Sequence, residues 1–289
     1  MTNSKTRLLG AIGYPNRVAR TPMIMSTFAE VIGADYAYLL FEFPPQQLPQ
    51  AVAGLKALGA AGFNVTMPYK QAIMEYLDEI DAEARLLNAV NTIRIDENGR
   101  LHGSNTDYFG FRQSLKDAGV PVEGRWVTML GAGAVSGPVW LTLSEERAGH
   151  VTWLNRTLDR AEACAAQMNR RSAGIADAAL LTRENLNRQI RESDLIIDVT
   201  PVGMATNAVK EHDFDASLID DTKFFYHVVY ALWETPLLKT AREHGARTMN
   251  GARMSVGQAK RAFEIWTGKT VDEATLMQAL GRVEADVKG

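Results

Sequence analysis

The run Trp126-Val-Thr-Met-Leu130 empties into Gly131-Ala-Gly133-Ala-Val-Ser136-Gly137, and helical periodicity follows. A buried strand, a glycine turn and a helix in that order let the backbone approach a pyrophosphate at a helix N-terminus. Short apolar runs alternate with helical segments along most of the chain, which predicts an α/β fold with a doubly wound, Rossmann-type parallel sheet. Read without a ligand, the same glycines would make only a tight turn. The third glycine position falls on Ser136 or, one residue late, on Gly137.

Upstream of the glycine turn, strands are predicted over 7–13, 36–43, 62–66, 91–94 and 100–104, the last two joined by a turn at 96–99. Helices are expected over 22–33 with Thr21 as N-cap, within 45–58, and over 71–87 with a break near 78–81. A helix at 109–118 opens a second unit, with strands at 126–130, 150–155, 194–200 and 223–229 and helices at 135–144 and 158–168. Helices at 236–244, 255–267 and 271–287 close the chain. At 289 residues there is room for about two domains. The expected division is 1–106, completed by helices from 248–289, and 107–247.

The composition, 46% hydrophobic and 22% charged with a formal net charge of −3, is that of an ordinary soluble protein. It carries no electrostatic footprint for nucleic acid or an anionic membrane surface. No apolar run is long enough for a spanning helix or a signal-peptide core. The single cysteine, Cys164, cannot form an internal disulfide, and reads as helix packing in a reducing compartment. A cytoplasmic protein is expected. The five histidines lack metal-ligand spacing, so no metal is expected.

Three polar clusters punctuate the first unit: Asn64-Val-Thr-Met-Pro-Tyr-Lys70, Asn88-Ala-Val-Asn-Thr-Ile93 and Gly103-Ser-Asn-Thr-Asp107. They deliver one lysine and one aspartate among amides and hydroxyls. Lys70 can serve as a general acid or base, and Asp107 can orient a hydroxyl beside it. Asn64, Thr66, Asn91 and Asn105 suit hydroxyl recognition. Taken singly, Lys70 reads equally as a surface charge, and Asn105 and Thr106 as helix caps. In the second unit, the strand ending Asn155-Arg156-Thr157 carries no acid to hold the ribose of NAD. Arg156 and Arg160 instead suit the 2′-phosphate of NADP, or else are incidental charges at a helix start.

With these clusters in place the chain resembles the shikimate/quinate dehydrogenase family over nearly its whole length. The lysine motif 64–70, Ala89-Val-Asn91-Thr92, Asn105-Thr-Asp107-Tyr-Phe-Gly110, the loop 131–136 with Asn155-Arg156-Thr157, and Glu234-Thr-Pro-Leu-Leu238 all carry the resemblance. So does Gly251-Ala-Arg-Met254 with Gln258 and Phe263-Glu-Ile-Trp266-Thr-Gly268. The resemblance implies reversible, NADP-dependent oxidation of a ring secondary alcohol, with Lys70 as acid/base and Asp107 as its partner. It implies a substrate lining of Thr21, Asn64, Thr66, Asn91, Tyr230 and Gln258. For the cofactor it implies Gly131, Ala132, Gly133, Ala134, Val135, Asn155, Arg156, Thr157, Arg160, Thr200, Met204, Gly251 and Met254. A cleft between the domains, closing over substrate and nicotinamide, is expected, in a monomer or homodimer.

The departures are as specific. Where the family has Gly-x-Pro-x-x-His-Ser-x-Ser-Pro, with serines that grip a substrate carboxylate, this chain has Gly13-Tyr-Pro15-Asn-Arg17-Val18-Ala19-Arg20-Thr21-Pro22. Ala19 deletes one hydrogen bond, which Arg17 or Arg20 could replace. Thr21 keeps a hydroxyl and is the variant associated with quinate-accepting members. Asp198-Val-Thr200-Pro201-Val-Gly203-Met204 and His227-Val-Val-Tyr230 also differ from the family pattern. His227 reads as a repacked core position, with Asp198 as a conceivable compensating partner. Shikimate is the first substrate candidate, and quinate or an amino-substituted relative the second. A non-catalytic metabolite or NADP sensor, and a folate-type dehydrogenase, are the rival classes.

Overall fold

The computed structural model describes residues 3–15, 19–133, 135–172, 174–202 and 211–289. The chain divides into two compact units, Met1–Gly110 with Ser255–Val283 and Phe111–Met254 with Glu284–Gly289. In the first, β1 (Arg7–Gly13), α1 (Thr21–Ile32), β2 (Tyr36–Glu42), α2 (Leu48–Ala57) and β3 (Gly62–Val65) form a parallel β-α-β-α-β run. A 3₁₀ turn at Ala72–Tyr76, a two-residue strand β4 (Glu79–Ile80) and α3 (Ala82–Leu87) lead to the antiparallel pair β5 (Thr92–Ile95) and β6 (Leu101–Ser104). Then comes α4 (Thr106–Asp117). The sheet order is β2-β1-β3-β5-β6-β4.

Ile12, Phe63 and Ile93, one from each of the three central strands, are fully buried in one core, each contributing roughly 2 kcal/mol by its removal from water. That core fixes the strand ends. Thr66 N–H donates to Ile12 O at 2.9 Å and Val65 N–H to Asn91 O at 2.8 Å, so the lysine and asparagine motifs leave the sheet side by side.

The second unit holds β7 (Trp126–Leu130), α5 (Ser136–Glu145), β8 (His150–Asn155), α6 (Leu158–Asn169), β9 (Ala176–Leu180) and α7 (Arg183–Glu192). It continues with β10 (Leu195–Asp198), β11 (Phe224–His227), α8 (Pro236–Glu243) and β12 (Arg247–Asn250). All six strands are parallel, in the order β12-β11-β10-β7-β8-β9. The order reverses between β7 and β10, the place where doubly wound sheets open a crevice at their carboxyl ends. Two long helices, α9 (Ala252–Thr267) and α10 (Glu273–Lys288), follow.

Several local expectations are corrected. The expected helix over 71–87 is a 3₁₀ turn, a strand and a short helix. Asp78 N–H bonds Leu101 O, the Asp78 carboxylate takes Leu101 N–H, and Asp81 N–H bonds Gly103 O. Pairing with β6 overrides helical periodicity there. Thr21 is not an N-cap: Arg20 occupies that position and supplies the first helical carbonyl to Met23 and Ile24. The segment 45–58 opens as a 3₁₀ turn before α2. The predicted helix at 109 starts three residues earlier, at Thr106, because Asn105 Oδ1 accepts Tyr108 N–H at 3.3 Å and caps it. β9, α7 and β12 were not anticipated. β9 is alanine-rich and lacks β-branched residues, and α7 shows little apolar character beyond Leu186 and Ile190. Cys164 is half-buried on α6, and burial pushes its thiol pKa up.

Candidate active site and cofactor cavity

Lys70 is presented by a turn anchored from below. Tyr69 is buried, stacks on Phe43 at 5.1 Å and donates its hydroxyl hydrogen to Phe43 O, while Tyr69 N–H bonds Thr66 O at 2.9 Å. Lys70 O in turn accepts Val90 N–H at 2.8 Å, tying the lysine turn to the asparagine motif. Asp107 stands in the first turn of α4, three residues past the end of β6. The Lys70 ammonium reaches its carboxylate at 2.6 Å, with the two side chains 20% and 15% exposed. The pair is sheltered yet reachable.

Amides and hydroxyls frame this pair. Asn64 accepts from Tyr38 OH at 2.8 Å and donates to Asn91 O and Thr92 Oγ1, at 3.1 and 3.0 Å. Asn91 Oδ1 accepts Thr106 N–H at 2.7 Å, and Thr106 Oγ1 lies 3.3 Å from Gln258 Oε1. Asn105 donates to Ala89 O at 2.9 Å. These bonds run from β3 through β5 to the residue just before Asp107, so they set the aspartate's position. Burial pushes the Tyr38 hydroxyl pKa well up, keeping it a neutral donor to Asn64.

In the second unit a cavity of about 800 Å³ opens at the reversal point between β7 and β10. Gly131, Ala132, Gly133, Asn155, Arg156, Arg160 and Thr200 line it. Gly131 has φ +97°, and a Cβ there would stand 2.9 Å from Thr200 Cγ2. Glycine is therefore required for the chain to turn so close to β10. Arg156 and Arg160 are exposed and carry no protein carboxylate among the described residues. Two uncompensated guanidinium groups at a cavity with a glycine loop fit a dinucleotide with an additional phosphate.

The comparisons with known proteins agree with this geometry. A model described as the shikimate dehydrogenase substrate binding domain matches residues 11–93. One described as shikimate/quinate 5-dehydrogenase matches 115–223, and the shikimate 5′-dehydrogenase C-terminal domain matches 251–280. Shikimate dehydrogenase (NADP(+)) of Alkaliphilus metalliredigens is 40% identical over 265 residues, covering 91% of this chain and 92% of that protein. The chain belongs to the shikimate/quinate dehydrogenase family. Two solved structures extend the likeness to the fold. A shikimate dehydrogenase in complex with NADP+ superposes with a TM-score of 0.89 at 33% identity, covering 98% of this chain and 97% of that one. The Listeria monocytogenes enzyme in complex with shikimate and NAD gives 0.88 at 31% identity, with coverage of 96% and 98%.

Within this shikimate/quinate dehydrogenase, the structure gathers Lys70, Asp107, Asn64, Asn91 and Gln258 into one network. Thr66 closes the lysine turn through its carbonyl, and Thr21 opens α1 half-buried, without a hydrogen bond to that network among the described residues. Tyr230 lies in the second unit beyond β11. Val135, the N-cap of α5, and Thr157, the N-cap of α6, do not line the cavity, nor do Gly251 and Met254. Gly251 has a packing reason of its own, since a Cβ would meet Val228 O at 1.7 Å. Ala134, Met204, Arg17 and Val18 lie outside the described residues. Sequence reasoning missed Tyr38 behind Asn64, and Thr182, Arg183, Glu211, His212 and Asp213 in the cavity lining. Thr182 was findable as the cap of α7, where it accepts Asn185 N–H at 3.2 Å; the others depend on the fold.

Among the described residues no helix is long and apolar enough to cross a membrane.

Proposed function

We propose that the chain interconverts shikimate and NADP+ with 3-dehydroshikimate and NADPH, oxidising a ring secondary alcohol to a ketone and the reverse. The observation that carries this is the Lys70–Asp107 pair, 2.6 Å apart and partly open to solvent. NADP, when bound, supplies the acceptor or donor of hydride. In oxidation the ring carbon loses hydrogen with its electron pair, and Lys70 Nζ, entering the step as the free amine, takes the hydroxyl proton. Asp107 stabilises the ammonium so formed and accepts a hydrogen bond from a neighbouring hydroxyl. In reduction the Lys70 ammonium returns the proton to the developing alkoxide. Asn91 and Gln258, held by Thr106, read the ring hydroxyls, and Thr21, Asn64, Thr66 and Tyr230 complete the substrate lining.

In this reading, residues 1–106 with 248–289 bind substrate and 107–247 bind NADP. The glycine loop takes the pyrophosphate and Arg156 with Arg160 the 2′-phosphate. Ala134, Val135, Thr157, Met204, Gly251 and Met254 belong to the same cofactor role. The enzyme acts in the cytoplasm, as a monomer or homodimer, on a free metabolite and without nucleic acid. Its mildly acidic charge and single cysteine support that setting.

The test is NADPH formation against shikimate, quinate, aminoshikimate and simple hydroxy acids. Shikimate is expected to give the highest kcat/KM with NADP+. A different preferred acid would move the substrate assignment, and no turnover with any of them would end the dehydrogenase reading.

A further inference from the structure

The strand β10 ends on a carboxylate that is wholly removed from solvent. Asp198 Oδ1 accepts Thr200 N–H at 2.8 Å, while Oδ2 faces His212 Nε2 at 2.7 Å and His227 Nε2 at 3.5 Å. Asp198 and His227 are register partners on adjacent strands, so both side chains leave the sheet on one face. His227 is held in turn by Thr235 Oγ1, 3.0 Å from Nδ1, and lies 3.3 Å from Thr200 O. Asp198, His227 and Thr235 have no exposed surface. Burial opposes the ionised form of Asp198, but the His212 hydrogen bond, the nearby His227 and the Thr200 N–H outweigh it and hold its pKa below the usual carboxylate range.

The cluster's outer face is cavity wall. Thr200 and His212 both line the cavity that holds the glycine loop, and Thr200 Cγ2 packs where a Gly131 Cβ would sit. The hydroxyl of Thr200 does not fix it there, since Oγ1 is buried with no hydrogen-bond partner among the described residues. Its backbone does: N–H to Asp198, and O beside His227. One carboxylate thus sets the place of two wall residues that are distant in sequence.

We propose that Asp198, acting with His212 and His227, is a positioning residue for the cofactor, fixing Thr200 and His212 against the glycine loop. This rests on the NADP reading above. NADPH is titrated by fluorescence into the wild type, His212→Ala, His212→Gln, Asp198→Asn and the Asp198→Asn/His212→Ala double variant. Only the part of the His212–Asp198 bond that holds the wall in its binding arrangement is felt by NADPH, so His212→Ala should raise the Kd roughly 10-fold. His212→Gln, which keeps a donor, should recover most of it. Asp198→Asn on top of His212→Ala should add less than about 2-fold, because both break one linkage. In turnover, KM for NADP+ should rise by more than kcat falls.

Wild-type-like binding by His212→Ala, multiplying effects in the double variant, or a kcat loss with KM unchanged would each overturn the proposal. No NADPH binding by the wild type would instead defeat the cofactor reading itself. Should His212→Ala fail to fold, Thr235→Val decides: Thr235 is buried and does not line the cavity, so weaker NADPH binding supports a relay through His227, and unchanged binding refutes it.

Discussion

Lys70–Asp107 and Asp198–His212–His227, two of the acid–base clusters among the described residues, differ chiefly in access. Lys70 and Asp107 meet at 2.6 Å with 20% and 15% of their side chains exposed, whereas Asp198, His227 and His212 are 0%, 0% and 6% exposed. A sealed cluster can have all its hydrogen bonds met by the protein, which makes it a device for holding backbone. A pair left partly open keeps room for a substrate hydroxyl to enter beside it. Charge pairing alone therefore does not mark a catalytic centre, and the partial exposure of Lys70 and Asp107 is what supports the proposed role for that pair.

The sharpest way to break this contrast is to remove one member on each side. Lys70→Ala should lower kcat by roughly 10²–10⁴-fold, the usual worth of a positioned acid–base group, while NADPH titration still shows binding. A variant with unaltered turnover would remove Lys70 from the chemistry. Asp198→Ala should leave two histidines buried without their carboxylate and cost about 3 kcal/mol of stability, as broken buried pairs do, measured by denaturant unfolding. A cost near zero would mean that the cluster is not the sealed anchor described.

The pH dependence separates the two regions further. Because the folded pKa of Asp198 lies below its ordinary value, its stabilisation is complete above the unfolded carboxylate pKa and is lost as pH falls through the lower folded value. Unfolding free energies measured down an acid series should thus fall more steeply in the wild type than in Asp198→Asn. Parallel curves would show that another carboxylate governs acid sensitivity.

What could be read from the chain follows the same division. The Lys70 turn and the glycine loop were legible because their motifs are written in contiguous residues, and strands such as β7 and β8 because their runs are apolar but for one central threonine each. The Asp198–His227 contact was named only as conceivable, since it depends on the register of β10 against β11. His212 was invisible as a partner for the same reason: nothing in local sequence brings it to the end of β10. β4 failed as a prediction because its two residues exist as a strand only through β6. Asn105 had both a capping and a recognition reading, and its contacts to Tyr108 and Ala89 favour the cap.

The cavity beside the glycine loop offers a milder test. Arg156 and Arg160 have no protein carboxylate among the described residues, so replacing them removes little from the free protein. Arg156→Asp with Arg160→Ala should shift the NADP/NAD preference ratio by about 100-fold, given roughly 1.5–3 kcal/mol for each charge-assisted bond and some screening at an exposed site. Steady-state kcat/KM for both cofactors would show it, and an unchanged ratio would place the phosphate elsewhere, with Arg183 the next side chain to examine.

The smallest effect should come from the substrate side. Ala19 stands half-buried just before Arg20, the residue that caps α1, and Thr21 follows as the first residue of that helix. If this stretch faces the substrate carboxylate, as the family resemblance implies, Ala19→Ser adds one hydroxyl donor to an anion already met by Thr21. A new bond to a charged group must first displace water, so the gain should be about 10-fold in KM for shikimate, at the lower end of the range for such bonds. kcat should change little, because a contact remote from the reacting carbon is made equally in the ground and transition states. A KM that does not move would mean that the carboxylate is held without position 19.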